Sequence, residues 1–296
     1  GRCLYIGIGG TGIKMLLELK KYFIDRFGEV PPMVGLMGFD TDGGELDRSI
    51  RSSDGRDVTL GKDEKMHICV NAAEAMYNHR PELFSWVPNG NKSAMRFLGE
   101  LGSGCIRSNG RVAFSINRRR IADVVNAKLV SISNAMSNSD FELMSFATPE
   151  VHMVFSLAGG TGSGMYIDMA YLMQDLIRGV HVTGYAITPS IFESLPAGSR
   201  WKPNAYASFL ELDYFMHRSL INDPIELTYM DDKYTVNLPP FSDVVYIDNK
   251  MENGLTITNL KTLCEIVAPS LACASMDAGL KGATVRDNCR VMIPLG

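Results

Sequence analysis

Gly159-Gly160-Thr161-Gly162-Ser163-Gly164 follows directly on the run Val151-His152-Met153-Val154-Phe155-Ser156-Leu157-Ala158. The apolar run has the composition of a buried strand, and Met165 to Ile177 has helical spacing. The glycines therefore fall at a strand-to-helix turn, where backbone N–H groups and the positive end of a helix converge on an anion. Four glycines remove the Cβ atoms that would hold a phosphate away, and Thr161 and Ser163 add hydroxyl donors. The stretch predicts a nucleotide site.

Working outward, Cys3 to Ile8 reads as a strand, followed by glycines and a helix from Ile13 to Phe27. Met33 to Phe39 is a second strand, ending in the polar turn Asp40-Thr41-Asp42-Gly43-Gly44. Residues 48–70 are polar and unpatterned and read as a surface insertion; Ala72 to Met76 begins a short helix. A second glycine-containing loop at 99–110 precedes a helix from Arg111 to Ala135. Strands are expected at 151–158, 181–188 and 243–248, with helices near 163–178 and 205–220 between them. Ile257 to Ala274 is a further helix, kinked at Pro269, and Cys289 to Leu295 is strand-like. Alternating strands and helices call for an α/β fold with a mostly parallel sheet covered on both faces.

Composition sets the bounds. A chain of 296 residues, 46% hydrophobic and 21% charged, is that of a soluble globular protein. A net charge of −4 gives no reason to expect a nucleic-acid surface. The basic run Arg118-Arg119-Arg120 reads as a solvated helix face. Six cysteines lack any Cys-x-x-Cys pair and the five histidines lack metal-ligand spacing. Buried free thiols in a reducing cytoplasm fit this pattern, and a zinc site or disulfide framework does not. No segment approaches the ~18 apolar residues of a membrane span. The absence of an initiator Met, and an end right after a strand-like run, suggest a piece of a longer protein.

Gly7-Ile8-Gly9-Gly10-Thr11-Gly12 matches Gly-x-Gly-x-x-Gly between a strand and a helix, with Asp40 standing 28 residues beyond Gly12. Alone, this is the dinucleotide fingerprint with a long spacing to the ribose-binding acid. The lysine-bearing phosphate loop Gly-x-x-x-x-Gly-Lys-[Ser/Thr] is absent. Phosphates are therefore expected to rest on backbone amides, hydroxyls and a metal ion.

The run at 159–164 resembles the signature of the tubulin and FtsZ family, and other loops of that family follow in order. Gly9-Gly10-Thr11-Gly12 looks like its first phosphate loop, and Phe39-Asp40-Thr41-Asp42 resembles the Asn-Thr-Asp stretch after its second strand. Leu101-Gly102-Ser103-Gly104 resembles the loop that faces the γ-phosphate. Lys202-Pro203-Asn204-Ala205-Tyr206-Ala207 is similar to the tubulin Pro-Tyr-Asn-Ala helix start. Tyr246-Ile247-Asp248-Asn249 is similar to the Ile-Asp-Asn before the core helix, where the Asn reads guanine. Leu255 to Ala274, with Thr258 and Asn259, would be that core helix. Arg107 and Arg111 resemble a divergent bacterial tubulin-like branch more than FtsZ itself.

The resemblance implies a three-layer, doubly wound, Rossmann-like domain over residues 1–255, a core helix over 256–275, and a second domain only begun, or a truncated tail, over 276–296. It implies a cytoplasmic protein that binds GTP or GDP with Mg²⁺. Asp42 would orient the metal's water shell, or alternatively cap a turn. Arg111 would pair a phosphate, or sit at a helix surface. Asn249 and Asn259 would read the base, or Asn249 would serve a turn. The family further implies a GTPase that turns over on head-to-tail self-assembly, one subunit donating an acid to the next or acting with another protein partner. Asp287, and after it Asp277, are the acids in that region, though neither lies in an Asn-x-Asp context. The alternatives are a nucleotide-binding scaffold or sensor that does not hydrolyse, and an NAD(P)-dependent oxidoreductase favoured by the first glycine loop alone.

Overall fold

Every residue of β1 (Cys3–Ile8) is buried, because the strand lies between two helical layers. Its side chains alternate: Leu4, Ile6 and Ile8 enter one apolar cluster, while Cys3 and Tyr5 enter the other. A strand covered on both faces must be apolar throughout, hence the unbroken runs in the sequence. The computed structural model describes residues 2–99, 102–135, 148–195, 199–218, 223–276 and 289–292.

In chain order, β1 leads into α1 (Gly9–Phe27), β2 (Val34–Asp40), the one-turn α2 (Gly43–Leu46), and the short strands β3 (Ser49–Arg51), β4 (Asp57–Thr59) and β5 (Lys65–His67). Then come α3 (Ala73–His79), α4 (Arg107–Ala135), β6 (Glu150–Ser156), α5 (Thr161–Leu176), β7 (Val182–Ile187) and α6 (Trp201–Arg218). The chain continues with β8 (Ile225–Tyr229), β9 (Asp232–Val236), β10 (Asp243–Ile247), α7 (Leu260–Met276) and β11 (Cys289–Met292).

Seven strands form one sheet in the order β11-β10-β7-β6-β1-β2-β5, every pairing parallel. Helices α1 and α7 pack together on one face, and α4 and α5 on the other. This is the three-layer, doubly wound α/β fold expected from the alternation of elements. The order reverses at β1, from which the chain runs to β2 on one side and β6 on the other. Ligands of open α/β sheets bind outside the carboxyl ends of the strands at such a point.

Several boundaries differ from the sequence reading. Helix α1 begins at Gly9, inside the glycine loop, and ends where Gly28 turns left-handed (φ +83°) and its N–H donates to Ile24 O at 2.8 Å. Helix α4 begins four residues early, at Arg107. Helix α7 begins at Leu260 and continues through Pro269. Residues 48–70 are not merely a surface insertion. They form a β3–β4 hairpin and the edge strand β5, and bury Val58, Leu60, Met66, Ile68 and Val70. Short strands with two or three inward residues leave too little periodicity to detect. The β8–β9 hairpin went unpredicted for the same reason.

Arg118 also departs from expectation. Only 8% exposed, it lies over the Tyr234 ring at 3.8 Å and donates to Asp175 at 2.8 Å. Arg119 does sit on the surface, paired with Asp232. Among the described cysteines, Cys3 and Cys264 are buried, whereas Cys105 and Cys273 are exposed, so the thiols are not uniformly interior.

Candidate functional site

Because the strands are parallel, the carboxyl ends of β1, β2 and β6 open on the same edge, and their following loops meet there. Together with residues 102–105 they enclose a cavity of about 300 Å³. It is lined by Gly9, Gly10 and Thr11 from the first loop, Asp40, Thr41 and Asp42 from the second, Gly102, Ser103 and Gly104 from the third, and Gly159, Gly160, Thr161 and Gly162 from the fourth. Helices α1 and α5 both begin at this wall, so two sets of unpaired N–H groups and two positive helix ends face one space.

The glycine loops touch one another. Gly9 has φ +73°, and a Cβ there would come within 3.0 Å of Gly162 N. Gly160 has ordinary helical angles. Its need for glycine comes from close approach, since a Cβ would lie 2.7 Å from Ile106 N. The third loop turns through left-handed backbone at Gly102, Gly104 and Cys105 (φ +71°, +61° and +55°). Asn204 Nδ2 fastens it to the fourth loop by donating to Cys105 O and Ala158 O, each at 3.0 Å. Asn109 Nδ2 adds a bond to Ser103 O at 3.1 Å.

The second loop carries the acids. Asp40 is 3% exposed. Burial pushes its carboxyl up to about 6, against the opposing pull of N–H groups of Asp42 and Thr41 and of the Thr161 hydroxyl. Asp42 Oδ1 accepts from Gly44 N at 2.8 Å and caps α2, the alternative role weighed for it, while the residue still lines the cavity. His67 Nε2 donates to Thr41 O at 3.0 Å, so the edge strand β5 braces this loop.

Two charged lining residues escaped sequence reasoning. Lys14, one turn into α1, reaches the cavity with Nζ 3.7 Å from Glu45 Oε2. A lysine is therefore available to a phosphate after all, though not at the spacing of the usual lysine-bearing loop. Its only signal was its position one turn past Thr11. Glu45 itself is held by Arg48, which keeps its carboxyl below the usual range.

The structure does not bring every expected residue to this cavity. Gly12 packs against Val154 O in the core. Ser163 and Gly164 face α4, where Arg107 donates to Ser163 O at 2.9 Å. Asn204 touches the site only through its two carbonyl bonds. Arg111 lies on the far side of α5, bonded to Asp168 at 3.2 Å and stacked over Trp86 at 4.7 Å. It lines a separate cavity of about 400 Å³ with Arg107, Asp168 and Glu211. Asn249 is 4% exposed and gives both amide hydrogens to backbone, at Ser190 O (3.2 Å) and Ile257 O (3.1 Å). Asn259 is exposed and caps α7 by accepting from Lys261 N at 2.8 Å; its neighbour Leu260 lines the cavity. Asp277 and Asp287 lie outside the described residues.

Fold and site together define a doubly wound α/β protein with a glycine-walled pocket at its switch point. The sequence profile described as "Tubulin like" matches residues 4–291, and the chain belongs to that family. No curated protein matches the chain in sequence. Among solved structures, it is similar to CetZ2 from Haloferax volcanii, a GTPγS-bound protofilament, at 14% identity and a TM-score of 0.55. That match covers 98% of this chain and 64% of the other. It is also similar to CetZ from Methanosaeta thermophila strain DSM 6194, at 15% identity and a TM-score of 0.52, over 92% of this chain and 53% of the other. The chain thus spans between half and two thirds of these relatives. Identities this low show the fold alone. Among the described residues no helix is long and apolar enough to cross a membrane.

Proposed function

We propose that the chain binds GTP in the 300 Å³ pocket and hydrolyses it when subunits assemble head to tail. The observation that carries the binding reading is the convergence of four loops and two helix N-termini on one space, with Lys14 at its rim. A triphosphate bears several negative charges, and this wall offers amides, hydroxyls and one ammonium to meet them. The solved relative in its GTPγS-bound protofilament supports both the ligand and the assembly. Asp42 and Asp40 are oxygen donors of the kind Mg²⁺ takes, directly or through water, and the ion would offset phosphate charge. Asp40 lies under Thr41 and Thr161, held by the loop's own N–H groups, which argues against a ribose-binding acid and the oxidoreductase alternative.

A second reading is a nucleotide-binding scaffold that does not turn over. It is favoured by the pocket's carboxylates, each already engaged within the chain: Asp40 by its loop, Asp42 by Gly44 N, Glu45 by Arg48. An acid supplied by a neighbouring subunit, with Asp287 as the candidate, would complete the site. Phosphate release and light scattering measured across protein concentration separate the readings. Turnover per molecule that rises with assembly supports the shared site. Binding without release at any concentration supports the scaffold. Purified protein that carries and binds no guanine nucleotide overturns both.

A further inference from the structure

The opposite end of the sheet carries a second cluster of ligand chemistry. Strands β1 and β6 pair in parallel with Cys3 opposite Glu150 and Tyr5 opposite His152. The register sets the Cys3 thiol, a Glu150 carboxylate oxygen and a His152 ring nitrogen on one face, with all three atoms within 4.8 Å of one another. His152 Nε2 stands 3.8 Å from Glu150 Oε2. The cluster lies at the amino ends of the strands, about 17 Å along β1 from the glycine loops at ~3.3 Å per residue.

We propose that Cys3, Glu150 and His152 bind one divalent transition-metal ion of the Zn²⁺ class. One thiolate, one imidazole and one carboxylate form a donor set that zinc accepts, and the 3.8 Å between His152 Nε2 and Glu150 Oε2 closes to the roughly 3.4 Å edge of a tetrahedral site by a small rotation of the rim side chain Glu150. The imidazole is held in position. Its ring stacks on Tyr5 at 4.9 Å, and its Nδ1 lies 3.3 Å from Tyr185 Oη. An Nδ1–H donating to that hydroxyl leaves the Nε2 lone pair on the Glu150 side, the usual arrangement for a metal-bound histidine. Backbone also fixes two ligand positions: Cys3 N–H donates to Met33 O at 3.1 Å and Glu150 N–H to Arg2 O at 2.9 Å.

Exposure orders the three ligands. Cys3 (1%) and His152 (4%) are interior, and Glu150 stands at the partly exposed rim. An ion enters past Glu150, and its fourth position opens to solvent there. Bound metal clips β1 to β6, the two strands whose carboxyl ends carry the loops at 9–12 and 159–162. Its effect on the protein is a gain in stability of the sheet's centre.

Cobalt(II) titrated into the metal-free chain tests the assignment. The expected result is one equivalent bound, with visible bands of tetrahedral intensity and a thiolate-to-cobalt charge-transfer band, all displaced by Zn²⁺. Cys3→Ser loses the charge-transfer band, while Cys273→Ser, at an exposed thiol, keeps it. Glu150→Gln at the rim is the variant least exposed to folding failure, and binds at least tenfold more weakly. Tyr185→Phe weakens binding about tenfold through the histidine's orientation. In the unmodified protein Zn²⁺ raises the melting temperature and a chelator reverses it. Absence of the charge-transfer band in the unmodified protein overturns the assignment. So does a band that survives Cys3→Ser.

Discussion

The hydroxyls of Thr41 and Thr161 lie 2.7 Å apart, joining the loop after β2 to the first turn of α5. The Asp40 carboxyl sits beneath them, bonded by Thr161. The two loops are 120 residues apart in sequence, and this contact makes the pocket floor a single unit. Anything that alters the charge of Asp40 is therefore felt in both of these pocket-lining loops.

Asp40 should give the protein a pH-dependent penalty. Its carboxyl is raised to about 6 from an unfolded value near 3.8. Below the unfolded value both states are protonated. Between the two values only the unfolded state ionises, so stability falls as pH rises, and above about 6 the cost is constant. Two pH units correspond to roughly 3 kcal/mol, an upper figure. Asp40→Asn should remove most of it, so the stability difference between variant and parent grows from pH 4 to 6 and then levels. A difference that stays flat in urea titrations over that range would contradict the burial argument.

Substitutions at Gly159 and Gly160 should separate ligand effects from packing effects. A Cβ at Gly159 meets nothing within 4 Å, whereas one at Gly160 meets the Ser103–Ile106 loop. Gly159→Ala should leave the melting temperature unchanged and weaken GTP binding about tenfold, by crowding the ligand. Gly160→Val should lower both. Calorimetric titration beside thermal melting distinguishes them; full affinity in Gly159→Ala would place the phosphates elsewhere.

Lys14 should contribute charge to the ligand rather than stability to the fold. Its side chain is one-third exposed and its partner Glu45 is 3.7 Å away. A pair of this kind is worth under about 1 kcal/mol. Lys14→Met should cost little in denaturant midpoint and about tenfold in GTP affinity, with a shallower salt dependence. Unaltered binding at low salt would remove this lysine from the site.

Asn204→Ala should leave the carbonyls of Cys105 and Ala158 without their shared donor. Unsatisfied buried groups cost about 1–3 kcal/mol each. The third and fourth loops then separate, so nucleotide affinity and stability should fall together. Proteolysis or hydrogen exchange at 102–106 reports the loosening directly.

Asn249→Ala should act on the fold before it acts on base choice. Both amide hydrogens serve Ser190 O and Ile257 O, fixing the turn that leads to α7. The expected loss is about 1–3 kcal/mol with the ratio of GTP to ATP affinity unchanged. A switched ratio in a fully folded variant would instead put Asn249 at the base edge.

The glycine runs at 9–12 and 159–164, each between an apolar strand and a helix, were legible from sequence, and with them the layering and the place of the pocket. Strand and helix periodicities are local properties, and a glycine loop between them has few other uses. Tertiary structure alone decided which neighbours of those loops face the pocket. Arg111 and Lys14 both follow a glycine loop on a helix. Lys14 points into the cavity, while the packing of α4 on α5 turns Arg111 to Asp168. Residues 65–67 became a strand because β2 offered an unpaired edge. Cys3 and His152 show no metal spacing along the chain, yet the β1–β6 register sets them side by side. Sequence specifies each element through short-range pattern. Which side chains meet across 40 or 150 residues depends on register and helix rotation, and those are set by burial over the whole sheet.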